Sequence, residues 1–357
     1  MQRLFLLLLL VLLSVNSARA QWKTEPAGSN SRFRAIAALN SSVAWAGGNN
    51  GSYARTTDGG ATWKTDIVPD GTNLDFRDVH VVDINTAYLL SVGEGELSRI
   101  YKTTDGGKQW KLQFTNTNPK AFFDALAFWD ANNGIAISDP VDGHFIIIVT
   151  SDGGATWKTL PPENTPPALP GEVAFAASGT CLTVQGQRNV WFGSGGGAAR
   201  VFRSTDRGQS WKVAETPITS GGDSVGIFSL AFKDAKNGIA VGGDYRKPNE
   251  VNNNVARTTD GGQTWITISR AKPAGFRSCV TYVPGAATPT LVAVGPLGSD
   301  YSLDNGTTWM LIDTIGFHSV SFAGSVMGGW AVGENGLIAK FVGSLAGLRK
   351  PTVTKSK

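Results

Sequence analysis

Six copies of one short motif dominate this chain and restrict its fold more than any other feature. Each reads Thr/Ser-x-Asp-x-Gly-x-Thr/Ser-Trp or a close variant, beginning with Thr56-Thr57-Asp58-Gly59-Gly60-Ala61-Thr62-Trp63. The others run Thr103–Trp110, Thr150–Trp157, Ser204–Trp211, Thr258–Trp265 and Ser302–Trp309. Their aspartates are Asp58, Asp105, Asp152, Asp206, Asp260 and Asp304, spaced 47, 47, 54, 54 and 44 residues apart. That period suits one four-stranded sheet per copy and is too long for a leucine-rich turn.

Upstream of each box the order is constant: an alternating segment opened by an aromatic, a turn, and a Gly-flanked apolar segment such as Asn237–Gly242. A strand entering the box follows, so each copy predicts four strands. Within the box, the Asp is placed to accept hydrogen bonds from the turn that follows it. The Gly pair supplies positive φ, and the Trp covers the hairpin with apolar surface. These six aspartates are therefore structural. As metal ligands or catalytic acids they would have to converge from separate blades.

A seventh unit follows the last box. Phe317–Phe322 and Gly329–Gly333 repeat the first two strands, and Leu337–Phe341 the third, but no box is present. Gln21-Trp22-Lys23-Thr24 matches the strand after a box, as in Trp63-Lys64-Thr65. The N-terminal strand is thus expected to pair into the last blade and close a ring, removing the open edges of an unclosed array. The expected fold is all-β, a seven-bladed propeller over residues 21–345. Glycine at 44 of 357 residues and Trp at 11 support a fold of tight turns and aromatic hairpins rather than helices.

The termini read differently. Arg3, the apolar run Leu4–Leu13 and Ala18-Arg19-Ala20 have the pattern of a secretory signal over residues 1–20. The run is too short to span a bilayer, so a secreted or periplasmic protein without a transmembrane segment is expected. Residues 346–357 read as a disordered basic tail. The net charge of +4 is mild and partly in that tail, which argues against nucleic acid as a partner. Cys181 and Cys279 fall in non-adjacent blades, which argues against a disulfide.

The six boxes resemble the Asp-box, or sialidase-type BNR, propellers, and the chain is most similar to the photosystem II assembly and stability-factor-like branch. That resemblance implies a non-enzymatic binding or assembly module. It also implies that arginines at blade openings form a partner-binding patch, here Arg34, Arg77 and Arg277. Aligned openings are Phe33-Arg34, Phe76-Arg77, Phe122-Phe123, Phe175-Ala176, Phe228-Ser229, Phe276-Arg277 and Phe317-His318. Blades six, seven, one and two are contiguous on a ring, so Arg277, His318, Arg34 and Arg77 would make a basic arc at the channel mouth. The competing structural role for these arginines is pairing with neighbours such as Asp78 and Asp124.

The same face should carry Glu94, Glu96, Asp124, Asp139, Asp142 and the insertion Asp244–Glu250, including Tyr245 and Arg246. The expected ligand is an acidic peptide, protein or polysaccharide bound by a monomer, without metal or cofactor. The alternative is a glycoside hydrolase using two of the carboxylates, with a separation of roughly 5 to 9.5 Å as its requirement. Sialidase activity itself is disfavoured, since that family's Arg-x-Pro is replaced by Arg34-Ala35-Ile36. His80, His144 and His318 lie in three different blades and offer no shared metal site.

Overall fold

A computed structural model describes residues 21–268, 271–324 and 328–343. The expected leader and basic tail lie outside the described residues. Seven antiparallel sheets follow one another around a ring. Blade one comprises Phe33–Ala38, Ala44–Gly48, Ser52–Thr56 and Lys64–Ile67, and the same in-to-out order recurs in every blade. Blade seven takes its outermost strand from the N-terminus. Trp22–Pro26 pairs antiparallel with Leu337–Phe341, with Trp22 opposite Phe341. The expected closure is therefore present, and Trp22 is buried among Phe317, Phe322 and Phe341.

The boxes fold as their chemistry requires. Thr62 donates to Asp58 through both its N–H (2.9 Å) and its hydroxyl (2.6 Å), while Gly60 N–H donates to the Thr56 hydroxyl at 2.9 Å. Gly59 and Gly60 sit at φ +74° and +87°, which a side chain would strain. These contacts hold the Asp58 carboxyl down at about 2, the Thr62 hydroxyl contributing most.

The tryptophans do more than cover their own hairpins. Trp63 packs with Trp330 and Val332 of blade seven, Trp211 with Ile135 and Ile147 of blade three, and Trp265 with Trp191 of blade four. Each box thus seals the joint to the preceding blade. Hydrogen bonds run across the same joints: Tyr88 Oη donates to Gly153 O at 2.6 Å and Trp191 Nε1 to Gly261 O at 2.8 Å. The apolar core is accordingly a ring of inter-blade clusters.

Blade four departs from the pattern. Its sheet begins only at Leu182, and the preceding Glu172–Val173 and Gly195–Gly196 add instead to the inner edge of blade five. Glu172 is anchored there by a buried ion pair with Arg200, whose Nε is 2.9 Å from Oε1.

Candidate functional site

The inner strands of blades one, two, three and five each carry a β-bulge at the same place, between Phe33/Ala35, Phe76/Asp78, Phe123/Ala125 and Ile227/Ser229. A bulge frees one residue from the pairing and turns its side chain. The freed residues are Arg34, Arg77, Asp124 and Phe228. Counting back from the pairs Ser319–Val332 and Cys279–Val294 puts His318 and Ser278 in the same column.

This register corrects three of the expected openings. In blade three the equivalent pair is Phe123-Asp124, not Phe122-Phe123. In blade five it is Ile227-Phe228, not Phe228-Ser229. In blade six it is Arg277-Ser278, so Arg277 occupies the buried position held by Phe33 and Phe76. Its guanidinium is 0% exposed and pairs with Asp300, Nε to Oδ2 at 2.6 Å. Arg277 therefore does not join the basic arc.

Arg34, Arg77 and His318 do line one cavity of about 430 Å³, together with Phe175, Phe228, Phe276 and Tyr245. The site has two unlike walls. On the aromatic side, Phe175 stacks on Phe228 with centroids 4.0 Å apart and planes at 6°, and Phe276 meets Phe228 edge-on at 4.7 Å. On the basic side, Arg77 donates to Asp75 at 2.9 Å and Arg32 reaches the same carboxylate at 3.2 Å. Of the expected pairing of the arginines with Asp78 or Asp124, no direct ion pair is formed: Arg77 bonds to Asp75 and acts on Asp124 only through its charge.

Arg34 forms no ion pair or side-chain hydrogen bond among the described residues, its Nε is buried without a partner, and Asp75 and Glu334 act on its charge only from beyond contact. Burial first, then repulsion from Arg77 and Arg32, lowers its pKa to about 10, so it is still a cation at neutral pH. Beside it, His318 shares a 2.8 Å hydrogen bond with Glu334. Burial and the Arg34 charge bring its pKa down to about 4, leaving the ring neutral at pH 7.

The floor of the cavity comes from blade four. Residues 174–180 leave their own blade and cross the ring axis, placing Phe175, Ala176 and Ala177 in the cavity wall. Arg77 Nη1 of blade two donates to Ala176 O at 3.3 Å, and Ser178 Oγ to Ser278 O of blade six at 2.9 Å. Phe175-Ala176 is therefore this plug and not a blade opening. The 54-residue spacing from Asp152 to Asp206, against 47 before it, was the available sign of an insertion.

Other expected residues have different surroundings. Tyr245 reaches the cavity from the blade-five loop, whereas the adjacent Arg246 is exposed and forks onto Asp223 at 2.8 and 3.1 Å. Asp244 accepts from Arg246 N–H at 2.9 Å and holds that turn. Asp142 is exposed beside Lys120, while Asp124 is buried and Asp139 half-buried beneath the plug. None of Glu94, Glu96, Asp139, Asp142 and Asp244 lines the cavity. Cys181 and Cys279 are separate buried thiols.

No family model matches the sequence, and no curated protein matches it. Solved structures match its fold. One, YCF48 bound to D1 peptide, aligns with a TM-score of 0.66 and 17% identity, covering 91% of this chain and 97% of that one. YCF48 from Cyanidioschyzon merolae gives 0.60 and 19%, covering 90% and 99%. The GH74 xyloglucanase from Xanthomonas campestris gives 0.59 and 16%, covering 89% of this chain but 53% of the enzyme. At these identities the likeness is one of fold: the chain is a single closed seven-bladed propeller.

Proposed function

We propose that this chain is a non-enzymatic binding propeller of the Asp-box type, similar to photosystem II assembly and stability factors, that captures an acidic peptide segment outside the cytoplasm as a monomer. The observation that carries the reading is Arg34: a cation lining a cavity, with no ion pair among the described residues and its Nε unbonded. A buried polar group lacking its hydrogen bond is costly, and a ligand carboxylate would supply it. Arg77 and His318 flank the same point. The facing wall of Phe175, Phe228, Phe276 and Tyr245 suits an apolar side chain next to that carboxylate. A peptide offers both groups at one residue's spacing, which a polysaccharide does not. The D1 peptide bound to YCF48, a propeller of the same fold, supports a peptide over other anions for this reading.

The test is a fluorescence anisotropy titration with acidic peptides that do and do not carry an aromatic or aliphatic residue beside the carboxylate. Binding should require both groups and should fall at least tenfold in Arg34→Ala. Equal affinity of wild type and Arg34→Ala rejects the reading. The leader pattern of residues 1–20 supports the location, checked by fractionating the cells that make the protein.

A further inference from the structure

Beneath the plug lies a second feature that anion capture does not require. Asp78 of blade two and Asp124 of blade three are buried under residues 174–180, with the half-buried Asp139 beside Asp124. Asp139 Oδ1 accepts from Ala174 N–H at 2.7 Å, and Asp124 faces the Ala176 amide. Asp78 Oδ2 accepts from Leu126 N–H at 2.7 Å. Gly179 packs so tightly on Asp78 that a Cβ there would overlap its carboxylate. The plug thus sits directly on three acids.

Positive charge does not match them. Arg77 is the cation beside Asp124, and it already donates to Asp75. The Cys181 thiol faces Asp124, Asp78 and Asp139, and burial pushes its pKa well up, so it stays neutral and neither offsets nor adds to their charge. Several buried carboxylates sharing one arginine cannot all ionise without a large desolvation cost.

We propose that residues 174–180 are a proton-latched plug, seated while Asp124 and Asp139 retain a proton between them and released when that proton is lost. Below the plug, a second cavity of about 300 Å³ is lined by Thr180, Ile36, Leu230, Val280 and Val320. Release joins it to the upper cavity and removes Phe175–Ala177 from the upper wall. Gly171, at φ +71°, precedes the moving segment, and Gly179, at +75°, lies next to its C-terminal end.

The sign follows from burial. Desolvation lifts the Asp139 carboxyl to about 6, with the Ala174 amide opposing, and lifts Asp124 well above the ordinary range, with the Asp139 charge adding and Arg77 opposing. With the plug lifted, both acids meet water and return toward about 4. The seated state therefore holds protons that the open state gives up. It is favoured at low pH and loses that advantage as pH rises from about 4 through 6. For Asp139 alone, the seated-to-open ratio falls on the order of 100-fold across that window.

Hydrogen–deuterium exchange of the Ala174 amide from pH 5 to 8 tests this in the full chain without any ligand. Rates are corrected for intrinsic exchange and referenced to interior amides of Gly134–Val141. Protection at Ala174 should fall at least tenfold in the wild type and stay flat in Asp124→Asn/Asp139→Asn. The side-chain carboxyl 13C shifts of the wild type should titrate with the same midpoint, a readout that needs no variant. Flat wild-type protection, a different carboxyl midpoint, or a pH dependence surviving in the variant overturns the latch. The peptide-binding reading stands or falls separately on Arg34.

Discussion

Arg277 and Asp300 form an ion pair sealed inside blade six, Nε to Oδ2 at 2.6 Å, with neither side chain open to solvent. One residue further along the chain, Ser278 takes the place that Arg34 holds in blade one. A shift of one residue thus separates an arginine that holds a blade together from one that faces a cavity. Breaking a buried pair leaves a charge without compensation. Arg277→Ala should cost about 3–5 kcal/mol in denaturant unfolding, and the apolar pair Arg277→Met/Asp300→Leu should recover most of it. A cost below about 1 kcal/mol for Arg277→Ala would show that the pair is solvated.

Arg34 should behave in the opposite way. With no ion pair to strand, Arg34→Ala should change unfolding stability by no more than about 1 kcal/mol in either direction. Acidic-peptide affinity should meanwhile drop by about 1.5–3 kcal/mol, the usual worth of a hydrogen bond to a charged group. Calorimetric titration beside a urea melt reads both quantities on one sample.

Ring closure rests on Trp22. Its ring lies 5.2 Å from Phe317 and 5.1 Å from Phe341 by centroid, and its Nε1 donates to Ser299 of blade six at 2.9 Å. Trp22→Ala should cost about 3–5 kcal/mol, the range for emptying a large aromatic site. Because the strand pairs only with Leu337–Phe341, amide exchange should rise first in blade seven. Uniform exchange changes across all blades would contradict a closure held at that one strand.

Acid stability should follow the box aspartates. The carboxyls of Asp58, Asp152 and Asp260 are held down to about 2, mainly by Thr hydroxyl and amide donors in the first two and against partial burial in the third. A carboxyl lowered on folding stabilises above about 4, and that contribution is lost as pH falls toward 2. Circular dichroism during acid titration should show unfolding in that window. The triple variant Asp58→Asn/Asp152→Asn/Asp260→Asn should be less stable at pH 6 and less sensitive to acid.

The plug gives a further test at one residue. Gly179 has φ +75°, and a Cβ at this position would overlap the Asp78 carboxylate. Gly179→Ala should unseat residues 174–180, raising exchange at Ala174 while leaving the box hydrogen bonds intact. A seated plug in a crystal of that variant would show that the Asp78 contact has room to give.

The local parts of this protein were legible in its residues because their causes are local. A Thr-x-Asp-Gly-Gly-x-Thr-Trp turn makes its own hydrogen bonds, as at Thr62 and Asp58, so six copies announce six blades. The match of Trp22-Lys23-Thr24 to Trp63-Lys64-Thr65 likewise disclosed the closing strand. Arg34, Arg77 and His318 could be picked out because each follows a Phe at an opening.

What depended on tertiary structure was register and crossing. Nothing local tells Arg277 from Arg34, since both follow a phenylalanine. The bulge that turns Arg34 toward the cavity and the pairing that buries Arg277 exist only once strands are matched. The plug is likewise invisible along the chain, because Ala174 meets Asp139, and Gly179 meets Asp78, only when distant blades share one axis. Turn chemistry acts within a few residues and so is written in the sequence. Burial of charge is set by which blades face one another, and only the closed ring decides that.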